Sequence, residues 1–478
     1  MLSLFILIPL LLLFILNLPV KFIRQGAFGL VGLLLSVQIL AALLHSLFPW
    51  SAFPEILGSF FIFSLAVDNL TLVMLLTIGT VALVSLIVAA STIGQERLRF
   101  YFVNLLLICV IGMNAIVLVR DIFSLYVFIE IVSVSSFILI ALERNKSAIE
   151  GTFKYLMLSA MATVFILSGI ACFLLAAGDL SFVSIHSAFY DPAASFILKV
   201  AASLFLCGLF IKAGVAPFHG WVMDAYLASP ASVSVLLAGV ATKISGVYVL
   251  LRLFGSVFIV NAPLQNIILF AGAFSIVLGA LAALTQDDLK RMLAYSSISQ
   301  IGYIILALGC ATPLAFAGAV FHFFNHAIFK SLLFVNAAAL EKRFGSTDMN
   351  KLAGQGYKMP VTGITSLMGV LSTAGIPPLS GFWSKLIIIL ALFSSGRFVY
   401  AGIALLASVL TLAYFLVFQR RIFFCKSELQ EPALENPGKI SRALGFSEIS
   451  LAIITVVTGA VFVFMPGNWI MPLKGIFW

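Results

Sequence analysis

A chain of 478 residues that is 62% hydrophobic and only 9% charged cannot fold as a water-soluble domain, in which about 25% of residues are charged. Its formal net charge of +9 comes with no basic stripe on a polar domain, which excludes nucleic-acid binding. Cys109, Cys172, Cys207, Cys310 and Cys425 include no C-x-x-C pair and lie in or beside apolar runs, which excludes a metal or redox motif and leaves them as packing residues.

Apolar runs of membrane-spanning length recur along the whole chain. The first, residues 2–20, lacks the basic n-region and small-residue cleavage site of a signal peptide and reads as a retained helix. The runs that follow predict helices near 27–48, 69–90, 101–119, 122–142, 154–177, 195–217, 231–251, 262–284, 292–310, 312–340, 361–395, 399–424 and 449–466. The expected fold is all-α, a polytopic membrane protein of about fourteen transmembrane helices in a single membrane domain, 1–478.

Loops after odd-numbered spans hold Lys21, Arg24, Arg97, Arg99, Arg144, Lys146, Lys290, Arg291, Lys342, Arg343, Lys351, Lys358, Arg420, Arg421, Lys426, Lys439 and Arg442. Loops after even-numbered spans hold Arg120, Arg252, Arg397 and Lys474. By the positive-inside rule the odd loops face the cytoplasm and both termini face the other side of the inner (cytoplasmic) membrane. The loop from Glu341 to Lys358 and the stretch from Lys426 to Glu448 could dock partners, although such stretches are usually just solvated.

The seventh span contains Ala213-Gly214-Val215-Ala216-Pro217-Phe218-His219-Gly220-Trp221, and the twelfth contains Ala374-Gly375-Ile376-Pro377-Pro378-Leu379-Ser380-Gly381-Phe382. Both read A-G-aliphatic-x-P-x-x-G-aromatic. Phe153-Lys154-Tyr155-Leu156 in the sixth span and Phe329-Lys330-Ser331-Leu332 in the eleventh repeat the same five-helix offset. Five is odd, so the copies run in opposite senses. The chain therefore divides into N-terminal helices (1–100), a first inverted five-helix repeat (101–252), a second (262–424), and a cytoplasmic segment with the last helix (425–478). Inverted repeats with broken helices point to an ion path at midplane; chance matching of Gly and Pro, common in membrane helices, is the bland alternative, and two independent matches at one offset weigh against it.

Charges inside the spans are costly, roughly 2.5–3.5 kcal/mol each on insertion scales, and are functional candidates by default. Glu130 lies in the fifth span, Lys154 in the sixth, Lys212 in the seventh, Lys243 in the eighth and Lys385 just past the break of the twelfth. His322, His326 and Lys330 share one face of the eleventh. Low dielectric favours a neutral lysine and a nearby carboxylate favours a charged one, so a lysine that gains or loses such a partner can exchange a proton. Glu130 is the natural partner of Lys212, and the two histidines suit a relay between half-channels. Each residue also has a blander role: snorkelling for Lys154 and Lys199, static ion pairing for Glu130, Lys212, Lys243 and Lys330, capping or packing for His219, and service to the broken helix or its loop for Asp224. Asp287, Asp288, Lys290 and Arg291 are explained by topology alone.

Phe128-Ile129-Glu130, the Lys212 to Trp221 run, Asp288-Leu289-Lys290-Arg291-Met292-Leu293-Ala294-Tyr295-Ser296-Ser297, Asn325-His326-Ala327-Ile328-Phe329-Lys330-Ser331-Leu332-Leu333-Phe334 and the Gly375 to Phe382 run carry a resemblance over nearly the whole chain. It resembles the antiporter-like subunit family: the M, N and L subunits of NADH-quinone oxidoreductase, the large Mrp sodium/proton antiporter subunits, and membrane subunits of energy-converting hydrogenases and formate hydrogenlyases. The resemblance implies two inverted five-helix bundles with Glu130 and Lys212 as the first half-channel's charge pair. Lys243 and the eleventh-helix histidines would then form the central relay, and Lys385 would serve the exit half-channel. It implies no cofactor in this chain, other membrane subunits and peripheral redox subunits as partners, and protons or sodium ions as cargo. Lys385 stands where M-type subunits carry glutamate, and the short tail after the fourteenth span argues against an L-type subunit. The Asn-His-Ala-Ile-Phe-Lys-Ser run favours the hydrogenase or Mrp D branch. Two alternatives to a redox-driven proton pump stand beside it, a gradient-driven antiporter component of the Mrp D type and a non-conducting scaffold. A soluble-type enzyme has no nucleophile-base set, phosphate loop or metal cluster to support it.

Overall fold

The computed structural model describes residues 2–45, 64–259, 261–354, 356–424 and 441–464. Cys425, Lys426, Lys439 and Lys474, named above, lie outside the described residues. The chain opens with α1 (Leu4–Leu16), a short α2 (Lys21–Gln25) and α3 (Ala27–Leu44). It continues through α4 (Asn69–Thr92), α5 (Glu96–Leu118), α6 (Ile122–Ile140), α7 (Lys146–Ala177) and the short α8 (Phe182–Ala188). Next come α9 (Ser195–Ala213) and α10 (Gly220–Ala228). One continuous helix, Ala231–Ser256, has α11 (Ala231–Leu236) and α12 (Val249–Ser256) as its ends and a π-wound middle. The second half holds α13 (Ala262–Leu284), α14 (Leu289–Cys310), α15 (Pro313–Phe344), α16 (Pro360–Ala374), α17 (Ser380–Ser394), α18 (Phe398–Gln419, extended by a π-turn to Phe424) and α19 (Arg442–Phe464).

Among the described residues, twelve helices are long and apolar enough to cross a membrane, and Leu4–Leu16, Pro360–Ala374 and Ser380–Ser394 are shorter apolar helices. Every predicted span coincides with a helix, the twelfth as the pair α16 and α17. The protein is a multi-pass membrane protein. Four starts lie earlier than apolar runs indicate: α5 begins at Glu96 rather than 101, α7 at Lys146 rather than 154, α14 at Leu289 rather than 292, and α19 at Arg442 rather than 449. Run-counting starts a span at its last charge, whereas the helix starts at its cap. Asn145 accepts from the Ala148 N–H and Asp288 from the Arg291 N–H, each satisfying an otherwise orphaned first-turn donor.

The bundle has two unlike ends. At one, Leu65 pairs with Val119 and Asp121 with Ser181. At the other, Asp288 pairs with Asp348, Lys290 meets Glu341 at 2.8 Å, and Lys342 Nζ donates to the Ser91 carbonyl at 2.6 Å. The second end carries most of the loop cations and is called the basic end below. The helix α7 leaves that end and α15 returns to it, so Phe153-Lys154 and Phe329-Lys330 lie on helices of opposite sense.

Both broken helices stop in the same way. Gly214 (φ 69°) ends α9 and Gly375 (φ 86°) ends α16, each in the left-handed region that glycine enters without a Cβ clash. The Val215 N–H returns to the Phe210 carbonyl at 3.0 Å and the Ile376 N–H to the Leu371 carbonyl at 3.0 Å, so the two caps match residue for residue. Around these breaks, α15 is buried from Ala315 to Leu340, while α7 and α18 turn Met161, Val164, Leu406 and Val409 outward as lipid-facing helices do.

Candidate ion-translocation path

Lys212 sits in the last turn of α9, one residue before its α-helical hydrogen bonding gives way at the Gly214 cap. Its side chain is fully enclosed, and Nζ donates to Glu130 Oε1 of α6 at 3.0 Å, Ser133 Oγ at 2.8 Å and Ser159 Oγ of α7 at 2.6 Å. Three acceptors saturate an ammonium. Glu130 also accepts from Thr163 Oγ1 at 2.8 Å and is 27% exposed, in a lateral groove shared with Tyr126, Ile131 and Val134.

Lys243 lies in the π-wound middle of its helix, a winding frequent at functional sites because it inserts a residue without ending the helix. Its Nζ donates to Tyr226 Oη of α10 at 2.7 Å and to Thr242 Oγ1 at 3.1 Å. Lys330 in α15 donates to Ser296 Oγ at 2.6 Å and the Leu293 carbonyl of α14 at 3.2 Å, and Tyr414 of α18 donates to the same Ser296 hydroxyl at 2.8 Å. Lys385 in α17 donates to the Thr373 carbonyl at 2.8 Å, one of the groups freed where α16 stops, and lies over the Tyr303 ring at 4.6 Å.

The histidines of α15 join these stations. His322 Nδ1 is 2.9 Å from Ser384 Oγ of α17. His322 Nε2, both ring nitrogens of His326 and both amide atoms of Gln300 are buried and meet no protein hydrogen-bond partner. Buried polar atoms are nearly always paired, so this cluster is distinct from a packed apolar core.

The structure thus brings Glu130 to Lys212 and sets Lys243, His322, His326, Lys330 and Lys385 in the buried interior. It places Lys154 apart. That side chain is 44% exposed near the basic end, bonded to Glu150 and Asp224 at 2.8 Å each, with Asp224 also 3.8 Å from Arg291 of α14. His219 precedes α10 without a side-chain capping bond, and Lys199 lies on an exposed turn of α9.

Two groups escaped the sequence reading. Arg252, counted there as a loop cation, is inside α12, where it forks onto Asp68 at 2.5 and 2.9 Å and reaches Thr71 and Tyr248; Arg120 adds a 3.6 Å contact with Asp68. At the mouth of α4, burial alone would raise the Asp68 carboxyl, yet Arg252, Arg120 and the Thr71 N–H hold it well below the usual carboxylate range. Glu448, assigned to a docking stretch, is instead buried two turns into α19. Both were hidden because a charge near a run's edge was taken as the edge. The cue for Arg252 was its position nine residues after Lys243 on one helix.

The family model for the membrane region of NADH:quinone oxidoreductase and Mrp antiporters matches residues 119–411. The D subunit of the Na(+)/H(+) antiporter of Alkalihalophilus pseudofirmus is 33% identical over 349 residues, 73% of this chain and 71% of that protein. The N subunit of NADH-quinone oxidoreductase of Parvibaculum lavamentivorans is 30% identical over 404 residues, 84% of this chain and 82% of that one. A chain in the solved membrane-bound sulfane sulfur reductase, an archaeal respiratory membrane complex, superposes with a TM-score of 0.86 at 26% identity, covering 99% of this chain and 97% of its own.

Proposed function

The chain belongs to the family of antiporter-like membrane subunits shared by NADH:quinone oxidoreductase, Mrp antiporters and related complexes, and from that premise we propose that it moves protons across the membrane within a redox-driven complex. The observation that carries this reading is the Glu130–Lys212 pair at 3.0 Å, its lysine fully enclosed and its carboxylate half-buried at membrane depth, followed by three more buried lysines and two buried histidines. One static ion pair would suffice to hold helices; five titratable groups beyond it cost much to insert and contribute little to packing.

Separating Glu130 from Lys212 would release the proton held between them, and the Tyr226, Thr242, Ser296 and Ser384 hydroxyls lie beside the stations that would receive it. The buried histidine and glutamine atoms without protein partners support a hydrated link, since polar cavities of this kind take up water. Lys385, held by a freed carbonyl, would serve the exit. We place Lys154 outside the central row, as a surface group that could feed it. Electron-transfer groups would reside in peripheral partner subunits, with further membrane subunits alongside and no cofactor in this chain. The excess of loop cations at one end supports a cytoplasmic basic end, both termini outside, and an inner-membrane location.

The test is proton translocation in native membrane vesicles. Lys212→Ala or Glu130→Ala is expected to abolish it with the complex still assembled, and normal translocation in either variant overturns the reading. A second reading, a sodium/proton antiporter component of the Mrp D type, is favoured by the 33% identity to the Alkalihalophilus protein. Sodium-dependent proton exchange without a redox substrate would establish it.

A further inference from the structure

Glu448 is a carboxylate enclosed by the protein, 1% exposed, on a helix to which the proposed path assigns nothing. Its Oε2 accepts from Thr362 Oγ1 at the start of α16 at 3.2 Å. The Asn336 amide of α15 satisfies its neighbours only with its NH2 donating to Glu448 Oε1 at 3.0 Å and its carbonyl accepting from the Ser366 N–H at 3.0 Å. Ser366 Oγ in turn accepts from Gln419 Nε2 of α18 at 2.7 Å, and Gln419 Oε1 is buried with no protein partner. Among the described residues, no ion pair neutralises Glu448.

The depths order these groups. Glu448 lies six residues into α19 from Arg442, about 9 Å from the basic end, and Asn336 lies eight residues before the end of α15, about 12 Å in. Lys330 lies roughly 21 Å in by the same measure. Between Gln419 and Lys330, α18 carries Tyr414, which is already bonded to the Ser296 hydroxyl that Lys330 holds. A carboxylate thus stands between the basic surface and Lys330, with hydroxyl and amide groups on either side.

We infer that Glu448, with Asn336, Ser366 and Gln419, forms a proton uptake branch from the basic end to Lys330, separate from the Glu130–Lys212 pair and serving the second repeat. One proton passes from the Glu448 carboxylic acid to the neutral Lys330 amine, leaving a carboxylate and an ammonium, and the carboxylate is reprotonated from the basic side. The amides do not carry the proton; they fix the carboxylate and the hydroxyls between which it travels. A purely structural Glu448 would be replaced by glutamine with little effect, because the Thr362 and Asn336 contacts have amide equivalents.

This inference rests on the proton-conducting reading, and the experiment separates the two. In vesicles holding the assembled complex, Glu448→Gln is expected to lower proton translocation at least fivefold, and Glu448→Asp to restore most of it. Infrared difference spectra should lose a protonated-carboxyl band in Glu448→Gln alone. Full translocation in Glu448→Gln, where Lys212→Ala is inactive, overturns the branch and leaves the main path standing. Full translocation in both overturns both. Should Glu448→Gln fail to assemble, Gln419→Leu and Thr362→Val decide the matter: a severalfold loss in assembled complexes supports the branch, and unchanged rates in both overturn it.

Discussion

Lys243 shows how a single side chain is held at membrane depth without a carboxylate: its ammonium is carried by the Tyr226 and Thr242 hydroxyls and faces the Tyr226 ring at 5.1 Å. A hydrogen bond to a charged group contributes roughly 1.5–3 kcal/mol. Tyr226→Phe should therefore slow proton translocation about tenfold or more while the complex still assembles, as read in vesicles beside an immunoblot of the membrane fraction; an unchanged rate would remove Tyr226 from the path. Glu130, Lys212, Lys243, His322 and Lys330 were legible in the sequence because each interrupts an otherwise apolar run. Which of them meet was not legible. Glu130 and Lys212 are far apart in the chain, and only the packing of α7 between α6 and α9 sets them 3.0 Å apart. Glu448 and Arg252 were missed for the opposite reason, since a charge near the end of a run looks like its boundary.

Among the elements, the two helix breaks are the most exacting. An alanine at Gly214 would meet a left-handed backbone, costing about 1–2 kcal/mol, and its Cβ would fall 2.5 Å from Val222 Cγ2, a branched side chain with little room to move. At Gly375 the nearest atom is Lys385 Cδ at 3.2 Å, on a flexible chain. Gly214→Ala should thus lower the thermal unfolding midpoint in detergent more than Gly375→Ala, whereas Gly375→Ala should reduce translocation by displacing Lys385. Equal midpoints for the two would contradict this. The clamp between α4 and α12 makes a second prediction. Asp68→Asn leaves Arg252 and Arg120 facing each other without a carboxylate, a loss of about 3 kcal/mol by analogy with broken buried pairs. Because the folded Asp68 carboxyl is held low, its contribution is fully present above about pH 4 and fades as the pH falls through the folded value. The stability difference between Asp68→Asn and the parent, measured by chemical denaturation in detergent, should shrink in acid; a constant difference would show that the carboxylate charge is not what matters. The breaks themselves were legible as paired Gly and Pro strings, but the π-winding around Lys243 was not, since no local residue preference marks it.

For the whole molecule, the span count and the opposite sense of the two halves followed from apolar length and an odd helix offset, both of which depend on bilayer thickness rather than on side-chain detail. Helix starts were placed late because caps, not apolar content, begin a helix. What the chain exchanges, and with which partners, is settled by the assembly: under the redox-driven reading, vesicles should take up protons on adding an oxidisable substrate and stay silent to a sodium gradient alone. The most direct test of the central claim is proton translocation by the assembled complex carrying Glu130→Gln together with Lys212→Ala, Lys243→Ala and Lys385→Ala. The buried row as conductor requires that translocation be lost while electron transfer or the partner subunits remain; translocation at the parent rate would show that these charges only hold the helices together.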